Sequence, residues 1–423
     1  MGTDYEVMVM GGGCAGLCAA IQAGRRLGAG RVCLVEKNGV CGGTTTAGGI
    51  GYPGLFHIWG RQVIAGVGWE LVERTRAEMG VPVQDMSGSR MVEHWRYHVR
   101  VDPVLFAALA DEELTRSGVE VRLHTMVGDV RRGGDGRWRV TLCGKDGLFG
   151  ASCRELVDCT GDANVCHILG LPLREPSTCQ PGTYSVILSG YDPDALDYAA
   201  IGRAFAVALA EGRLQPGDLG WHGGFSPNFL RARGNNANHI PGIVAADSEG
   251  RTRMELAGRA AVLRAYRFLR AQPGLERLAM QFGGGECGVR ETRTVVGEWT
   301  VTGEEYVAGV RYADALCHSV YPIDLHVAGA AGIEQRRLAE GVVPFVPRGA
   351  LVPRGTDHLL VAGRCLSSDR LANSALRVQA TCMATGQAAG AMAALAAETG
   401  VTPLRLPLAD IRALLAANGL VCG

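Results

Sequence analysis

The chain has 423 residues, 47% of them apolar, and its 42 Lys plus Arg balance its 42 Asp plus Glu. That length exceeds the ~250–300 residues at which one hydrophobic core stops growing, so two domains are expected. Zero net charge excludes bulk electrostatic recruitment of nucleic acid or an anionic membrane surface, and the expected partner is a small molecule.

No apolar run reaches the ~18 residues that a membrane span needs. The N-terminus MGTDYEVMVM carries neither a basic region nor a secretory cleavage site, so a cytoplasmic protein is expected. The 14 cysteines include no C-x-x-C pair, which argues for small buried thiols rather than a metal or dithiol site. The 61 glycines show no repeat period, so many backbone positions must be tight or close to a ligand.

In chain order, residues 5–10 (YEVMVM) read as a buried strand, GGGCAG as a turn, AGLCAAIQAGRRLG as a helix on a sheet, and residues 31–36 (RVCLVE) as the next strand. This is one βαβ unit. Gly11, Gly13 and Gly16 give G-x-G-x-x-G in that setting, with Glu36 at the end of the second strand, which points to a dinucleotide. Gly11 makes the turn, Gly13 lets backbone N–H groups approach the pyrophosphate, and Gly16 lets helix and strand close up. The helix N-terminus supplies orphan donors, and Glu36 would accept from both ribose hydroxyls.

Residues 63–80 and 104–118 read as helices, and three β-type runs between residues 119 and 160 read as a small antiparallel insertion. Residues 195–212 and 255–272 read as helices, and 288–302 (GVRETRTVVGEWTVT) as strands. Residues 358–363 (HLLVAG) restore the buried-strand pattern before a long small-residue helix over about 377–398. Gly283, Gly285 and Gly288 repeat the glycine spacing, but follow the helical-looking PGLERLAMQ and precede β-branched residues; the expectation is a chance match without an anion cradle.

After Glu36 and Lys37, the segment CGGTTTAGGIG brings Gly42, Gly43, Thr44 and Thr45 to a second backbone approach. With VDCTGDANV, LLVAGRCLSSDR and ATGQAAG following in order, the chain resembles the glutathione-reductase-type FAD enzymes, and more closely the flavoprotein group related to fumarate reductase flavoprotein subunits. The resemblance implies an α/β fold. A discontinuous Rossmann-type FAD-binding domain with the antiparallel insertion would span 1–60, 100–170 and 346–423, and a mixed α+β substrate domain 61–99 and 171–345. It implies non-covalent FAD with Val127 at the adenine edge and Thr160 and Gly161 near the dinucleotide. Gly363 and Arg364 would lie on the ribityl strand. Thr385, Gly386, Gln387 and Ala388 would sit at a helix N-terminus facing the pyrimidine edge. Arg364 departs from the acidic residue many relatives carry there, leaving the ribityl contact to backbone or Asp369; His57 and Cys41 are the candidates for covalent attachment.

For proton transfer, Asp324 and His326 of YPIDLH lie two apart, on one face of a strand, so the carboxylate could orient the imidazole. His57 and His239 of RGNNANH are further candidates. Arg290, Glu291 and Arg293 of GVRETR, and Arg377, are the charged residues to test against a carboxylate-bearing substrate, each also a candidate for structural ion pairs. The expected activity is that of a dehydrogenase or reductase moving hydride between a small organic substrate and flavin N5. The alternatives are an oxygen-using oxidase or monooxygenase, and a non-catalytic flavin-binding or assembly protein. Substrate, reaction direction, electron partner and homo-oligomerisation stay open.

Overall fold

The computed structural model describes residues 3–236, 238–327 and 332–422. Strand β1 (Thr3–Met10) leads through the glycine turn into helix α1 (Cys14–Leu27) and then strand β2 (Val32–Val35). Helices α2 (Val67–Glu78) and α3 (Pro103–Arg116) follow, the second capped by the Asp102 carboxylate. The run VEVRLHTMV is not one strand. His124 adopts φ 51°, and the chain divides there into β3 (Glu120–Arg122) and β4 (Met126–Arg132). The first joins β2 in parallel, while the second starts a meander with β5 (Trp138–Gly144) and β6 (Gly147–Asp158).

Strand β6 does two jobs along its length. Its first half closes the meander, and its second half runs parallel to β1 and to a late strand, Leu359–Val361. The parallel sheet therefore reads β3, β2, β1, β6 and the late strand, a Rossmann-type arrangement completed by the C-terminal segment. Residues alternate along β1: Val7 and Val9 join the core under the helices, Met8 and Met10 the core on the meander side.

A second apolar core lies around strand β7 (Val186–Ser189), helix α4 (Tyr198–Ala210) and helix α5 (Ser248–Arg270), with Phe205 and Phe268 edge to face. The residues PGLERLAMQ, expected to be helical, form turns leading into strand β8 (Ala279–Phe282), which pairs antiparallel with β7. Strand pairing outweighs the local helical pattern. Further on come β9 (Ala315–His318) and β10 (Ile323–His326), then the late strand β11 (Leu359–Val361), helix α6 (Arg370–Leu376), helix α7 (Gln379–Thr399) and helix α8 (Leu408–Ala417). Residues 61–99, expected in the substrate domain, contribute Val67, Leu71 and Val72 of α2 to the core built on α1 and α7.

Helix α7 is buried from Gln379 to Ala397, as its apolar and small residues on every side require. Gly386 and Gly390, four apart, face Ala15 and Ala19 of α1, also four apart; added Cβ atoms would lie 2.1 and 2.2 Å from the Ala15 and Ala19 carbonyl oxygens. No described helix is long and apolar enough to cross a membrane. All 14 cysteines are unpaired, twelve of them buried.

Candidate functional site

The first glycine loop works by three separate constraints. Gly11 has φ 96°, and its added Cβ would sit 2.5 Å from the Cys159 carbonyl oxygen. At Gly16 the Cβ would meet the Gly11 oxygen at 1.8 Å. At Gly13 it would find open space, the nearest atom being the Gly43 Cα at 4.0 Å. Gly13 caps α1 without a side-chain hydrogen bond, and no acidic residue occupies the first turn, so the orphan N–H donors at this end keep their full anion-binding capacity. The second glycine segment backs the first: Gly42 N–H donates to the Gly12 oxygen at 2.7 Å, and the added Cβ of Gly43 would lie 2.9 Å from the Gly13 Cα.

Glu36 accepts from Gly12 N–H at 2.7 Å and Asn38 N–H at 2.8 Å, placing its carboxylate against the turn. Lys37 pairs with Glu286 at 2.6 Å. Thr44 is exposed at the mouth, whereas Thr45 is buried and hydrogen-bonds Gln379 at the start of α7. Val127 is half-buried at the start of β4, beside a bulge. Thr160 turns back onto Asp158 and accepts from Asn164 N–H, and Gly161 has φ 77° under the Arg364 guanidinium.

Arg364 is tied to Asp162 at 2.6 Å and to Thr292. Burial alone would raise the Asp162 carboxyl; the Arg364 and Arg251 guanidinia overcome it and hold it down at about 2. Gly363, with φ 82°, packs over Ala15. Asp369 spends both oxygens on Ala372 N–H and Gly303 N–H, as the cap of α6.

Four expected contacts stand elsewhere. Thr385, Gly386, Gln387 and Ala388 lie inside α7, about two turns past its start. Gly386 meets α1, Thr385 accepts from Gly363 N–H, and Gln387 accepts from Val67 N–H while donating to Gln22 and Asn418. They hold helices together. The uncapped positive end is at Gln379, with Arg377 two residues before it in the turn between α6 and α7.

Beside that helix end the structure gathers groups far apart in sequence. His326 Nε2 donates to Asp324 at 3.1 Å, and His326 Nδ1 shares a 2.7 Å hydrogen bond with His239 Nε2. Gln180 accepts from His326 N–H and from Arg377, each at 3.2 Å, and Arg377 also donates to the Asp324 carbonyl. Arg290, 7% exposed, donates to the Pro181 carbonyl at 2.7 Å. His94 and His98 flank Tyr321, the first edge-on and the second tilted, with centroids 5.5 and 5.7 Å away. Burial, then the nearby Arg290 charge, holds both His326 and His239 down at about 3; Asp324, which burial would raise, is held at about 2 chiefly by His326.

The loop FGGG positions Arg290. Gly283 and Gly284 lie so close on residues 47–49 that an added Cβ at Gly49 would be 1.9 Å from the Gly283 oxygen. The second glycine match follows a strand, contrary to expectation, yet no helix opens from it. His57 stands apart: its ring packs edge-on to Trp69 at 5.1 Å, and among the described residues no hydrogen bond joins it to the cluster. No described group of three or more His, Cys, Asp or Glu is arranged to hold a metal ion.

The four charged residues flagged in GVRETR and NSALRVQ separate cleanly. Glu291 pairs with Arg370 at 2.7 Å and Arg293 with Glu175 at 2.7 Å. Arg290 and Arg377 have no described carboxylate within ion-pair distance, and Arg377 Nε and Gln180 Nε2 are buried without a partner.

The imidazoles give a pH prediction. His98, His239 and His326 are held neutral at about 4, 3 and 3, while an unfolded chain titrates near 6.5. Below that value the unfolded state binds protons the native state refuses, so stability falls as pH drops, each group contributing up to about 1.4 kcal/mol per pH unit. The urea midpoint should fall between pH of about 7 and about 5, and His326→Asn should flatten that dependence.

The family model described as FAD dependent oxidoreductase matches residues 6–415. No curated protein matches the chain. Among solved structures the chain is similar to the p-nitrophenol 4-monooxygenase PnpA from Pseudomonas putida DLL-E4, with 12% identity over 99% of this chain and 87% of that one and a TM-score of 0.43. It is similar to the OxyS anhydrotetracycline hydroxylase from Streptomyces rimosus, with 14% identity over 98% and 66% and a TM-score of 0.40. It is also similar to CabE, an aromatic hydroxylase from angucycline biosynthesis, with 20% identity over 45% of this chain and a TM-score of 0.30; it spans 37% of that protein's length, well under two thirds.

Proposed function

This chain belongs to the FAD dependent oxidoreductase family, and we propose that it transfers hydride between flavin N5 and a small organic acid whose carboxylate is held by Arg290 and Arg377. The protein is an enzyme and its cofactor is FAD. The open face at Gly13, the uncapped start of α1 and the backing Gly42–Gly43 segment fit a pyrophosphate, and Glu36 suits the ribose. Non-covalent attachment is part of the proposal: Cys41 is fully buried with its thiol pushed up to about 12, and His57 packs on Trp69. So are the closer affinity to the fumarate-reductase-related group, which rests on sequence motifs, and the two-domain division, with the substrate site between the two halves.

The observation that carries the reading is the pair of enclosed guanidinium groups without carboxylate partners. A buried charge left unpaired is costly, and it persists where a ligand supplies the counter-charge. The orphan donors Arg377 Nε and Gln180 Nε2 need an acceptor in the same place.

Bound FAD supplies the two-electron chemistry, and the chain's own groups orient the substrate and manage one proton. With Asp324 ionised, His326 carries its proton on Nε2, so His239 Nε2 donates to His326 Nδ1. That leaves the His239 Nδ1 lone pair as the proton acceptor of the chain. Asp324 stabilises the positive charge that develops on the imidazole pair. Arg290 and Arg377 fix the carboxylate bidentately, and the start of α7 favours negative charge beside it.

Anaerobic mixing of the FAD-loaded enzyme with a panel of 2-hydroxy acids and saturated acids, each beside its amide, tests this. Bleaching of the flavin band by an acid and not by its amide is expected. Bleaching by amides as readily as by acids would sink the carboxylate assignment, and reoxidation by air with stoichiometric peroxide would turn the reading towards an oxidase.

A further inference from the structure

A cavity of about 690 Å³ lies elsewhere in the fold, bounded by Arg61, the loop after the helix Gly303–Ala308, β9, Phe345, α8 and residues 421–422. Its volume falls in the ~300–1,000 Å³ range of small-molecule sites. Arg61, Arg311, Arg412 and His318 line it, and no Asp or Glu belongs to the described lining.

Arginines without a described ion-pair partner are common on this surface, as at Arg31, Arg203 and Arg277; what sets the hollow apart is that three of them converge on it with no described acidic side chain between them. Here the guanidinium of Arg412 is anchored by the Ala313 and Ala315 carbonyls, which fixes its charge in the wall without neutralising it. Arg61 and Arg311 are exposed, with no described carboxylate in ion-pair range. Arg311 lies 5.8 Å over the Phe345 ring, and the His318 ring is 4.6 Å from the same ring. Burial, and further the charges of Arg61 and Arg311, push the His318 imidazole down, so both guanidinium groups act on one wall.

Three cations around one hollow exceed what a single carboxylate neutralises, whereas a phosphate ester or diphosphate matches them in charge and in acceptor number. Phe345, Val342 and Val343 add an apolar floor. We propose that this cavity is a second ligand site that binds a phosphate-bearing small molecule through Arg61, Arg311 and Arg412 and seats its aromatic body on Phe345.

The test is calorimetric titration of the FAD-saturated protein, in which the adenosine cradle is already filled, with ADP, adenosine and benzoate in turn. ADP should bind with an affinity that falls as salt rises, adenosine should bind at least about tenfold more weakly, and any benzoate binding, which the Arg290–Arg377 site can supply, should leave the ADP affinity unchanged. The double variant Arg61→Glu/Arg311→Glu, both positions exposed, should keep its FAD content and lose at least about tenfold in ADP affinity. No ADP binding to the FAD-saturated protein, equal binding of adenosine, or unchanged ADP binding in the double variant would each overturn the proposal.

Discussion

Replacing Arg290 with methionine is expected to lower kcat/KM for the carboxylate substrate by about 10²–10³ while leaving the protein as stable as before, or more stable. The two halves of that expectation have one cause. Arg290 is 7% exposed, its only described side-chain hydrogen bond goes to the Pro181 carbonyl at 2.7 Å, and burial together with the Arg377 charge pushes it down to about 9. It stays protonated at neutral pH and so keeps a desolvated charge with no described carboxylate at ion-pair distance, Asp324 acting on it only from farther off. Methionine fills a similar volume without that charge, relieving the native state. The substrate carboxylate, however, loses a charge-assisted partner in a dry site, worth about 2–5 kcal/mol on truncation. Arg293→Met is the control: its partner Glu175 is exposed, so the pair contributes about 1 kcal/mol or less, and turnover should not move. Steady-state kinetics and urea midpoints on both variants check the contrast. A large stability loss in Arg290→Met with kcat/KM unchanged would make Arg290 a structural cation.

How much of this was legible in the sequence depends on how local each feature is. The turn from β1 into α1 is written in consecutive residues, since Gly11, Gly13 and Gly16 act within one turn of chain and Glu36 closes the same βαβ unit. The Asp324–His326 contact was equally local, two residues on one strand. The partnership of His326 with His239 spans 87 positions, and only the fold supplies it. Gln180, His94 and His98 carried no motif at all, and Tyr321, though it opens YPIDLH, was not singled out within it. Arg290 and Arg293 look alike in GVRETR, and what separates them is a tertiary fact: Glu175 reaches one and no described carboxylate reaches the other. The helix was expected over about 377–398, close to α7 itself, but its anion-facing end was put at ATGQ: the true cap, Val378, bears no capping side chain, and the first polar–glycine stretch in the helix stood in for it. The glycines there serve helix contact rather than an anion.

That difference between glycines gives the other large prediction. Gly13→Ala should fold and melt like the parent as apoprotein, since its φ of −67° suits any residue and the methyl group enters open space, but its FAD affinity should fall by about ten- to a hundredfold because the methyl occupies the face where backbone meets pyrophosphate. Gly386→Val should do the reverse in order of cause. Its Cβ would lie 2.1 Å from the Ala15 carbonyl oxygen, a backbone atom in the middle of α1, and Gly390 makes the same demand one turn on. Neither helix can yield without moving the glycine loop that α1 begins from. The cost should exceed about 3 kcal/mol, beyond ordinary overpacking, and FAD should be lost only because the fold is lost. Apoprotein melting and FAD titration on both variants separate the two. A Gly386→Val protein that melts normally yet fails to bind FAD would restore this glycine to the cofactor and move the positive helix end back to where the sequence had placed it.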